Sequence, residues 1–330
     1  MIEIDGSIGE GGGQVLRTAL SVACVLQEKV RIYNIRAGRE KPGLRAQHLT
    51  VCKLLGELTG AKMTGAALGS SEIIFEPEEI SGGKFSFDIG TAGSCTLLLQ
   101  AALPVMLHAT GDCRLEITGG THVRGAPTFE YFANVFLPAT AMFGAKLEAK
   151  LERCGFYPQG GGKIAVKTTP SAFSGCEIVA HEHTEANYEI ITSSLPPHVA
   201  EREEKKLRNA LHDAGIRAAG KKEAVAASCA GNALAIWSSY LGVSVVGEAG
   251  KPAEKVAGDA AGAFVSEVKS GASVDSHLAD QLLVYAALAK GKTQYTAREF
   301  TQHLTTNAEV LRRMTERNIM LLGEGRVEVL

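Results

Sequence analysis

The segment DGSIGEGGGQVLRTAL, residues 5–20, joins a short strand to a helix through a turn that is mostly glycine. Ile2–Asp5 has the apolar alternation of a strand. From Gln14 to Leu26 the apolar residues recur at the spacing of one helix face. The plan is therefore strand, glycine-rich turn and helix.

A second copy of this plan follows further along the chain. Phe85–Ile89 predicts a strand, GTAGS (90–94) a turn, and Cys95 to about His108 a helix that bends or ends near Pro104. The segments IGEGGGQVL (8–16) and IGTAGSCTL (89–97) are similar in sequence as well as in layout. The similarity indicates an internal duplication.

Other segments fit the same alternation of helices and strands. Further predicted helices are Arg45–Thr59, Phe129–Phe143, Ala253–Lys269 and Ser276–Ala289. Further predicted strands are Val30–Arg36, Arg114–Ile117, Lys163–Lys167, Ile319–Gly323 and Val327–Leu330.

The pattern changes between residues 181 and 252. One helix there, His198–Ala214, is highly charged, as is typical of a solvated helix face. Predicted strands in this stretch are Tyr188–Thr192, Ala224–Ser228, Ala233–Trp237 and Val243–Gly247. We therefore predict an α/β (α+β) protein with a large domain of residues 1–180 and 253–330 and a small inserted α/β domain of residues 181–252.

Composition excludes several classes of protein. The 330 residues carry 34 Lys and Arg against 36 Asp and Glu, a net charge of −2. A protein that coats nucleic acid is usually strongly basic, so any nucleic-acid site here must be compact. The seven cysteines are dispersed without a C-x-x-C pair, which favours reduced thiols over a zinc site or a disulfide framework. No apolar run is long enough for a membrane span, and we expect a cytoplasmic protein.

The first glycine-rich turn has a possible chemical role. Backbone N–H groups at a helix N-terminus attract phosphate, although glycines alone are equally compatible with plain turn geometry. Glu10 lies within the turn and Arg17 lies one helical turn into the helix. A carboxylate can hold a divalent metal beside phosphate oxygens, and an arginine can bind phosphate through two hydrogen bonds. These two residues favour the phosphate interpretation.

A compact basic loop follows the second predicted strand. The segment IRAGREKPGLRAQH (35–48) carries Arg36, Arg39, Lys41 and Arg45. It could be an exposed basic loop, or an anion-binding loop to which Gln47 adds a neutral donor. One such cluster on a chain of nearly zero charge favours recognition of a localised phosphate, such as a strand end, over binding along a duplex.

His303 is the candidate nucleophile. Thr306 and Glu309 have the spacing of a capping box, which would place His303 just outside a helix N-terminus. The positive end of the helix dipole disfavours imidazolium and favours the neutral ring that a nucleophile requires. Taken alone, a histidine at a helix start is more often a surface or capping-region residue than a nucleophile.

Two further segments could line a ligand site. In VDSHLADQLLVYAALA (274–289), Asp280 and Gln281 fall off the apolar stripe, where polar residues usually face solvent. The loop GGTHVRGAP (119–127) follows a strand and could line a pocket, although such loops are mostly turns.

Together the motifs resemble the RNA 3′-terminal phosphate cyclase family over nearly the whole chain. The motifs are DGSIGEGGGQVLRTAL (5–20), IRAGREKPGLRAQHL (35–49), GTAGSCTLLLQAALP (90–104), GFYPQGGG (155–162), HVAERE (198–203), HLADQLL (277–283) and HLTTN (303–307). The resemblance implies three repeated units, each a four-stranded sheet with two helices, and a smaller inserted α/β domain. It also suggests a homodimer.

The resemblance further implies ATP-dependent conversion of an RNA 3′-phosphate end into a 2′,3′-cyclic phosphodiester. The family's histidine, at the position of His303, attacks the α-phosphate of ATP and forms a covalent histidyl-AMP. AMP then passes to the RNA 3′-phosphate, giving RNA(3′)pp(5′)A, and the adjacent 2′-OH displaces it.

Site residues follow from the same resemblance. It places Glu10 at a divalent metal, Mg²⁺ or Mn²⁺. It places Arg17, Arg36, Arg39 and Gln47 on phosphates of ATP or of the RNA end. It places Gln100, Asp280 and Gln281 in the ATP pocket, with His277, Pro127 and Tyr131 as neighbours of the adenosine. The segment HVRGAPTFEYF (122–132) departs from the family's usual pattern, which bears on the adenine pocket.

Two other functions are compatible with parts of this pattern. One is a non-catalytic ribosome-biogenesis paralogue of the same fold, which lacks the nucleophile; the presence of His303 and Glu10 argues against it. The other is an enolpyruvyl-transferase-like enzyme, whose chemistry gives no role to a histidine at a helix start.

Overall fold

The computed structural model describes residues 1–330. The first unit contains strands β1 (Ile2–Asp5), β2 (Val30–Tyr33), β3 (Lys62–Thr64) and β4 (Ile73–Glu76), with helices α1 (Gly13–Leu26) and α2 (Ala46–Thr59). The sheet order is β1-β2-β4-β3. The β1–β2 pair is parallel and the other two pairs are antiparallel.

The second unit repeats this arrangement. Its strands are β5 (Gly83–Asp88), β6 (Cys113–Gly119), β7 (Lys146–Arg153) and β8 (Gly162–Thr169), in the order β5-β6-β8-β7. Its helices are α3 (Cys95–Leu107) and a second helix made of α4 (Phe129–Tyr131), a π-helical turn (Phe132–Phe136) and α5 (Leu137–Ala141). The first pair, β5–β6, is again parallel and the rest antiparallel.

A smaller sheet follows in the chain. Its elements are β9 (Glu185–Ser193), α6 (His198–Asp213), β10 (Arg217–Ala224), β11 (Gly231–Ser238), β12 (Leu241–Val246) and α7 (Ala253–Ser270). The sheet order is β10-β9-β11-β12. A separate core of 14 buried residues lies under this sheet and includes Ala257, Ala260 and Phe264 from α7. The domain boundary at 253 stays a sequence prediction, and this packing favours a boundary after α7.

The third unit is α8 (Ser276–Leu288), β13 (Thr293–Thr296), α9 (Gln302–Met314), β14 (Ile319–Leu322) and β15 (Arg326–Val329). Its sheet, β13-β15-β14, has three strands where four were expected. Segment 174–178 takes the place of the fourth through parallel bridges to Lys290 and Gln294. It makes only two bridges because the chain leaves the sheet for the inserted elements directly afterwards.

Mixed α/β architecture with several four-stranded sheets confirms the predicted fold class. A single core of 64 buried residues joins the three units. No helix combines the length and the apolar character that crossing a membrane would require.

Some strands were not predicted correctly. Strands β3, β4, β7 and β13 were missed, and the strand expected at Ala224–Ser228 is β10, which ends at Ala224. β10 is almost wholly exposed and carries Lys221, Lys222 and Glu223, so it lacks the apolar alternation on which strand prediction depends.

Candidate active site

A cavity of about 530 Å³ opens between the three units that share the large core and the smaller sheet β10-β9-β11-β12. Its walls come from α1, α3, α7, α8, α9, α4 with the loop before it, and β12. Eight predicted site residues line it: Arg17, Gln100, Pro127, Tyr131, His277, Asp280, Gln281 and His303. The other four, Glu10, Arg36, Arg39 and Gln47, lie outside its lining.

The first glycine-rich turn packs closely on α9 and α2. A Cβ on Gly9, whose φ is +61°, would lie 2.0 Å from Thr306 Oγ1, and one on Gly13 would lie 2.1 Å from His48 Nε2. A larger residue at either position would force the facing side chain to move, and the positive φ of Gly9 disfavours any other residue there as well. Gly12 caps α1 in an extended conformation and no side chain bonds the first N–H groups. The turn therefore approaches His303 while leaving donors at the helix start.

His303 lies inside α9, in its first turn, so the predicted capping box is wrong. The cap is Thr301, which has an extended conformation and accepts a hydrogen bond from Leu304 N at 3.1 Å. Thr306 instead donates to Gln302 O, and Glu309 pairs with Arg313. The helix begins about one turn earlier than predicted, and the His303 ring still lies at its positive end.

The contacts of His303 define its tautomer. Nδ1 lies 3.0 Å from Glu10 Oε1 and is also hydrogen-bonded to Gln14 Oε1. Both partners are acceptors, so Nδ1 carries the proton and Nε2 of the neutral ring keeps its lone pair. Burial lowers the pKa of His303, although Glu10 acts in the opposite direction. The geometry thus leaves the Nε2 lone pair without a partner in the protein.

Gln14 belongs to a buried polar network that sequence reasoning missed. Gln14 Nε2 donates to Asp280 Oδ1 at 3.4 Å, and Asn307 Nδ2 donates to the backbone oxygen of Asp280 at 3.1 Å. Thr18 Oγ1 donates to Asn307 Oδ1 at 2.7 Å. Asp280 is 8% exposed, and burial raises its pKa well above the usual range. The expectation that a polar residue off the apolar stripe faces solvent is therefore wrong for Asp280.

Arg17 is a partly buried cation without a partner. It makes no ion pair or side-chain hydrogen bond, and burial lowers its pKa to about 10 despite the nearby Asp280 and Glu10. A guanidinium is still charged at neutral pH with such a pKa. Arg17 lines the cavity and its guanidinium has no partner in the protein, so it can bind an anionic group there.

The basic loop, which carries Arg36 and Arg39, lies outside the cavity lining and contacts Glu10. Arg39 Nη2 lies 3.2 Å from Glu10 Oε2. Arg36, at a φ of +56°, turns inward and donates through Nη1 to Lys41 O at 2.7 Å and to Gly43 O at 3.0 Å. Arg39 therefore faces the carboxylate beside His303, whereas Arg36 stabilises its own loop.

Gln47 connects this loop to the second glycine-rich turn. Its Oε1 accepts a hydrogen bond from Ser94 N at 3.4 Å. The neighbouring His48 also went unpredicted, although it stands inside the basic-loop motif. Burial and the adjacent arginines lower the pKa of His48 to about 3, which keeps the ring neutral.

Several polar atoms in the cavity lack partners. Gln100 Nε2, Gln281 Oε1 and Glu267 Oε2 are buried without a hydrogen bond. Such atoms are rare in folded proteins and mark places where a ligand can complete the bonding. Tyr131 is different, since its hydroxyl donates to the Asp275 carboxylate at 2.9 Å.

Comparisons with known proteins identify the family of this chain. A family model described as RNA 3′-terminal phosphate cyclase matches residues 8–321. Proteins of that name from Archaeoglobus fulgidus and Methanosarcina barkeri are 44% and 42% identical, covering 94% and 93% of this chain and 94% and 92% of theirs. A solved enolpyruvyl transferase from Streptomyces tendae is 11% identical with a TM-score of 0.40 over 99% of this chain and 47% of its own, too low to support a conclusion. The chain belongs to the RNA 3′-terminal phosphate cyclase family.

Proposed function

We propose that this protein converts RNA 3′-phosphate ends into 2′,3′-cyclic phosphodiesters with ATP, through a covalent adenylate on His303. The observation that carries the proposal is the arrangement of His303. Its Nδ1 is held by two acceptors, its Nε2 is free, and the ring lines a cavity that also contains the unpartnered Arg17.

In the first step, His303 Nε2 attacks the α-phosphorus of ATP. The N–P bond forms, the bond to the β-phosphate oxygen breaks, and pyrophosphate leaves. Positive charge that develops on the ring is offset by Glu10 at 3.0 Å from Nδ1. Arg17 and the α9 N-terminus offset negative charge on the phosphates.

In the second step, an oxygen of the RNA 3′-phosphate attacks the adenylate phosphorus, and the bond to Nε2 breaks. This gives RNA(3′)pp(5′)A and returns a neutral His303. The adjacent 2′-OH then attacks the RNA phosphorus, loses its proton to solvent and expels AMP. Arg39 on the basic loop and Gln47 in the first turn of α2 lie outside the cavity lining, where an RNA end can approach.

ATP binding is supported by the unpartnered atoms of the cavity. The amide groups of Gln100 and Gln281 offer a donor and an acceptor to a nucleotide. His277 and Pro127 line the same space. Asp280 holds Gln14, so its part in the site is to orient the residue that holds His303.

A divalent ion fits the site only as a partner of substrate phosphates. No group of three His, Cys, Asp or Glu side chains in the protein could hold a metal alone. Mg²⁺ and Mn²⁺ suit carboxylate ligands, and Mg²⁺ is often held by one or two carboxylates together with phosphates. Glu10 can be that carboxylate, and the ion would then neutralise phosphate charge.

The ribosome-biogenesis alternative makes the opposite prediction about covalent chemistry. The protein should be incubated with ATP labelled at the α-phosphate and a divalent metal, then denatured. We expect acid-labile, hydroxylamine-sensitive label on the wild type and none on His303→Ala. His212→Ala is the matched control, because His212 is a highly exposed histidine distant from the cavity lining. Equal labelling of wild type and His303→Ala, or no labelling of either, would falsify the proposed function.

A further inference from the structure

Tyr157 is an exposed aromatic residue that the proposed chemistry does not use. Its relative exposure is 76%, and it is the only aromatic among the large apolar residues on the surface. Its hydroxyl makes no hydrogen bond within the protein. A large ring exposed in this way contributes little to stability, which raises the question of what it contacts.

The turn that carries Tyr157 is held on both sides. Phe156 is 1% exposed and stacks on His122 with ring centroids 5.1 Å apart. Phe156 O accepts from Gly160 N at 2.7 Å, and Cys229 Sγ lies 3.6 Å from Tyr157 O as a donor. The backbone around Tyr157 is therefore anchored while its side chain projects into solvent.

The same turn packs against the loop that meets the phosphate-binding residues. A Cβ on Gly160 would lie 2.9 Å from Ala92 Cα, so the two backbones are in direct contact. Two residues beyond Ala92, Ser94 N donates to Gln47 Oε1 at 3.4 Å. One short loop, residues 91–94, thus separates the Tyr157 turn from Gln47.

We propose that Tyr157 is a stacking platform for a base in the last two nucleotides of the RNA strand. This inference rests on the proposed function, since it takes the RNA 3′-phosphate to lie near Gln47 and Arg39. Charge contacts hold only the terminal phosphate, and a chain of net charge −2 gains little from the rest of the backbone. A pre-positioned aromatic ring adds affinity for any base, because every base has a face that can stack.

The test measures binding and turnover of a short single-stranded RNA 3′-phosphate by wild type, Tyr157→Ala and Tyr157→Phe. Loss of one base–aromatic stack is worth roughly a 5- to 150-fold loss of affinity. We expect Tyr157→Ala to raise Kd and KM for the RNA within that range with kcat nearly unchanged, and Tyr157→Phe to behave like wild type. Met142→Ala, at an exposed apolar residue away from the cavity lining, is the matched control.

A second RNA, abasic at its last two positions, separates stacking from a structural effect. On the wild type it should lose as much affinity as Tyr157→Ala loses with intact RNA, and on Tyr157→Ala it should lose little more. Unchanged Kd in Tyr157→Ala, equal loss in Tyr157→Phe, or equal abasic effects in both proteins would overturn the inference. The second outcome would indicate a hydroxyl contact, and a dimer that dissociates in Tyr157→Ala without loss of RNA affinity would assign the ring to a protein interface.

The two proposals can fail separately. Covalent labelling of His303 needs no RNA, so its absence from the wild type removes the proposed function. RNA affinity measured without ATP tests the stacking role of Tyr157 directly. Normal labelling together with unchanged RNA affinity in Tyr157→Ala would remove the platform alone.

Discussion

At the scale of single residues, Gln14 accounts for the orientation and tautomer that the proposed mechanism requires of His303. One end of its amide accepts from His303 Nδ1 and the other donates to Asp280. The sequence showed His303 and Asp280 as candidates in separate motifs. It could not show that a neutral side chain in the first glycine-rich motif joins them, because that contact depends on how α1, α8 and α9 pack.

The two arginines of the basic loop, expected from sequence to act alike, have different contacts. Arg39→Ala removes a half-exposed side chain whose ion pair with Glu10 contributes at most about 1 kcal/mol to stability. If it offsets phosphate charge in the transition state, activity should fall about 100-fold or more. We expect a nearly unchanged Tm for this variant.

Arg36→Ala should behave differently. It removes two hydrogen bonds to backbone oxygens, so the free energy of unfolding should fall by about 2 kcal/mol along with the activity. Thermal denaturation of both variants beside RNA cyclisation assays provides the check. Equal losses of Tm in Arg36→Ala and Arg39→Ala would contradict the assignment of a structural role to Arg36 alone.

At the scale of elements, the glycine-rich turns predicted helix starts correctly, whereas the polar strands could not be predicted from the sequence. The turns at residues 6–13 and 90–94 do precede helices α1 and α3 in two units of the same topology. Strand β7, Lys146–Arg153, has alternating exposure but charged residues on its outer face, so it carries little sequence signal. Strand β7 is defined by its antiparallel pairing with β8, which its own sequence does not reveal.

One element of the small sheet carries a buried carboxylate that should make stability depend on pH. Glu203 in α6 is 1% exposed, and Asn232 Nδ2 donates to one of its oxygens at 2.8 Å while the other has no partner. Burial raises its pKa to about 7. A raised carboxyl pKa means that the folded state binds the proton more tightly, so this stabilisation is full below about pH 4.5 and is lost as pH rises through 7.

Glu203→Gln should therefore remove this pH-dependent contribution to the free energy of unfolding. We expect the wild type to lose up to roughly 3 kcal/mol relative to this variant between pH 4.5 and 8, since one pKa unit corresponds to about 1.4 kcal/mol. Urea denaturation at several pH values measures it, and Glu201→Gln, an exposed residue of the same helix, is the control. Parallel pH profiles for wild type and Glu203→Gln would contradict the assignment.

At the scale of the whole molecule, the cavity depends on both cores. Residues 242–245 of β12 belong to the small sheet, yet they face residues of α1, α3 and α8 across the cavity. Arg124 and Glu248 form a further ion pair between the two parts, at 3.0 Å. Composition predicted a compact anionic-ligand site on a chain of balanced charge. It could not predict that the site needs the inserted sheet as a wall, because that follows from the relative placement of distant segments.

The proposed mechanism requires the molecule to hold the adenylate on His303 Nε2 while the RNA 3′-phosphate reaches the adenylate phosphorus from the side opposite to Nε2. A single-turnover chase tests this most directly: the protein is loaded with labelled AMP, freed of ATP and pyrophosphate, and mixed with RNA bearing a 3′-phosphate. We predict that the label leaves the protein as free AMP while the RNA end becomes a 2′,3′-cyclic phosphate. Label that stays on the protein, or that leaves equally fast with RNA ending in a 3′-OH, would contradict the account.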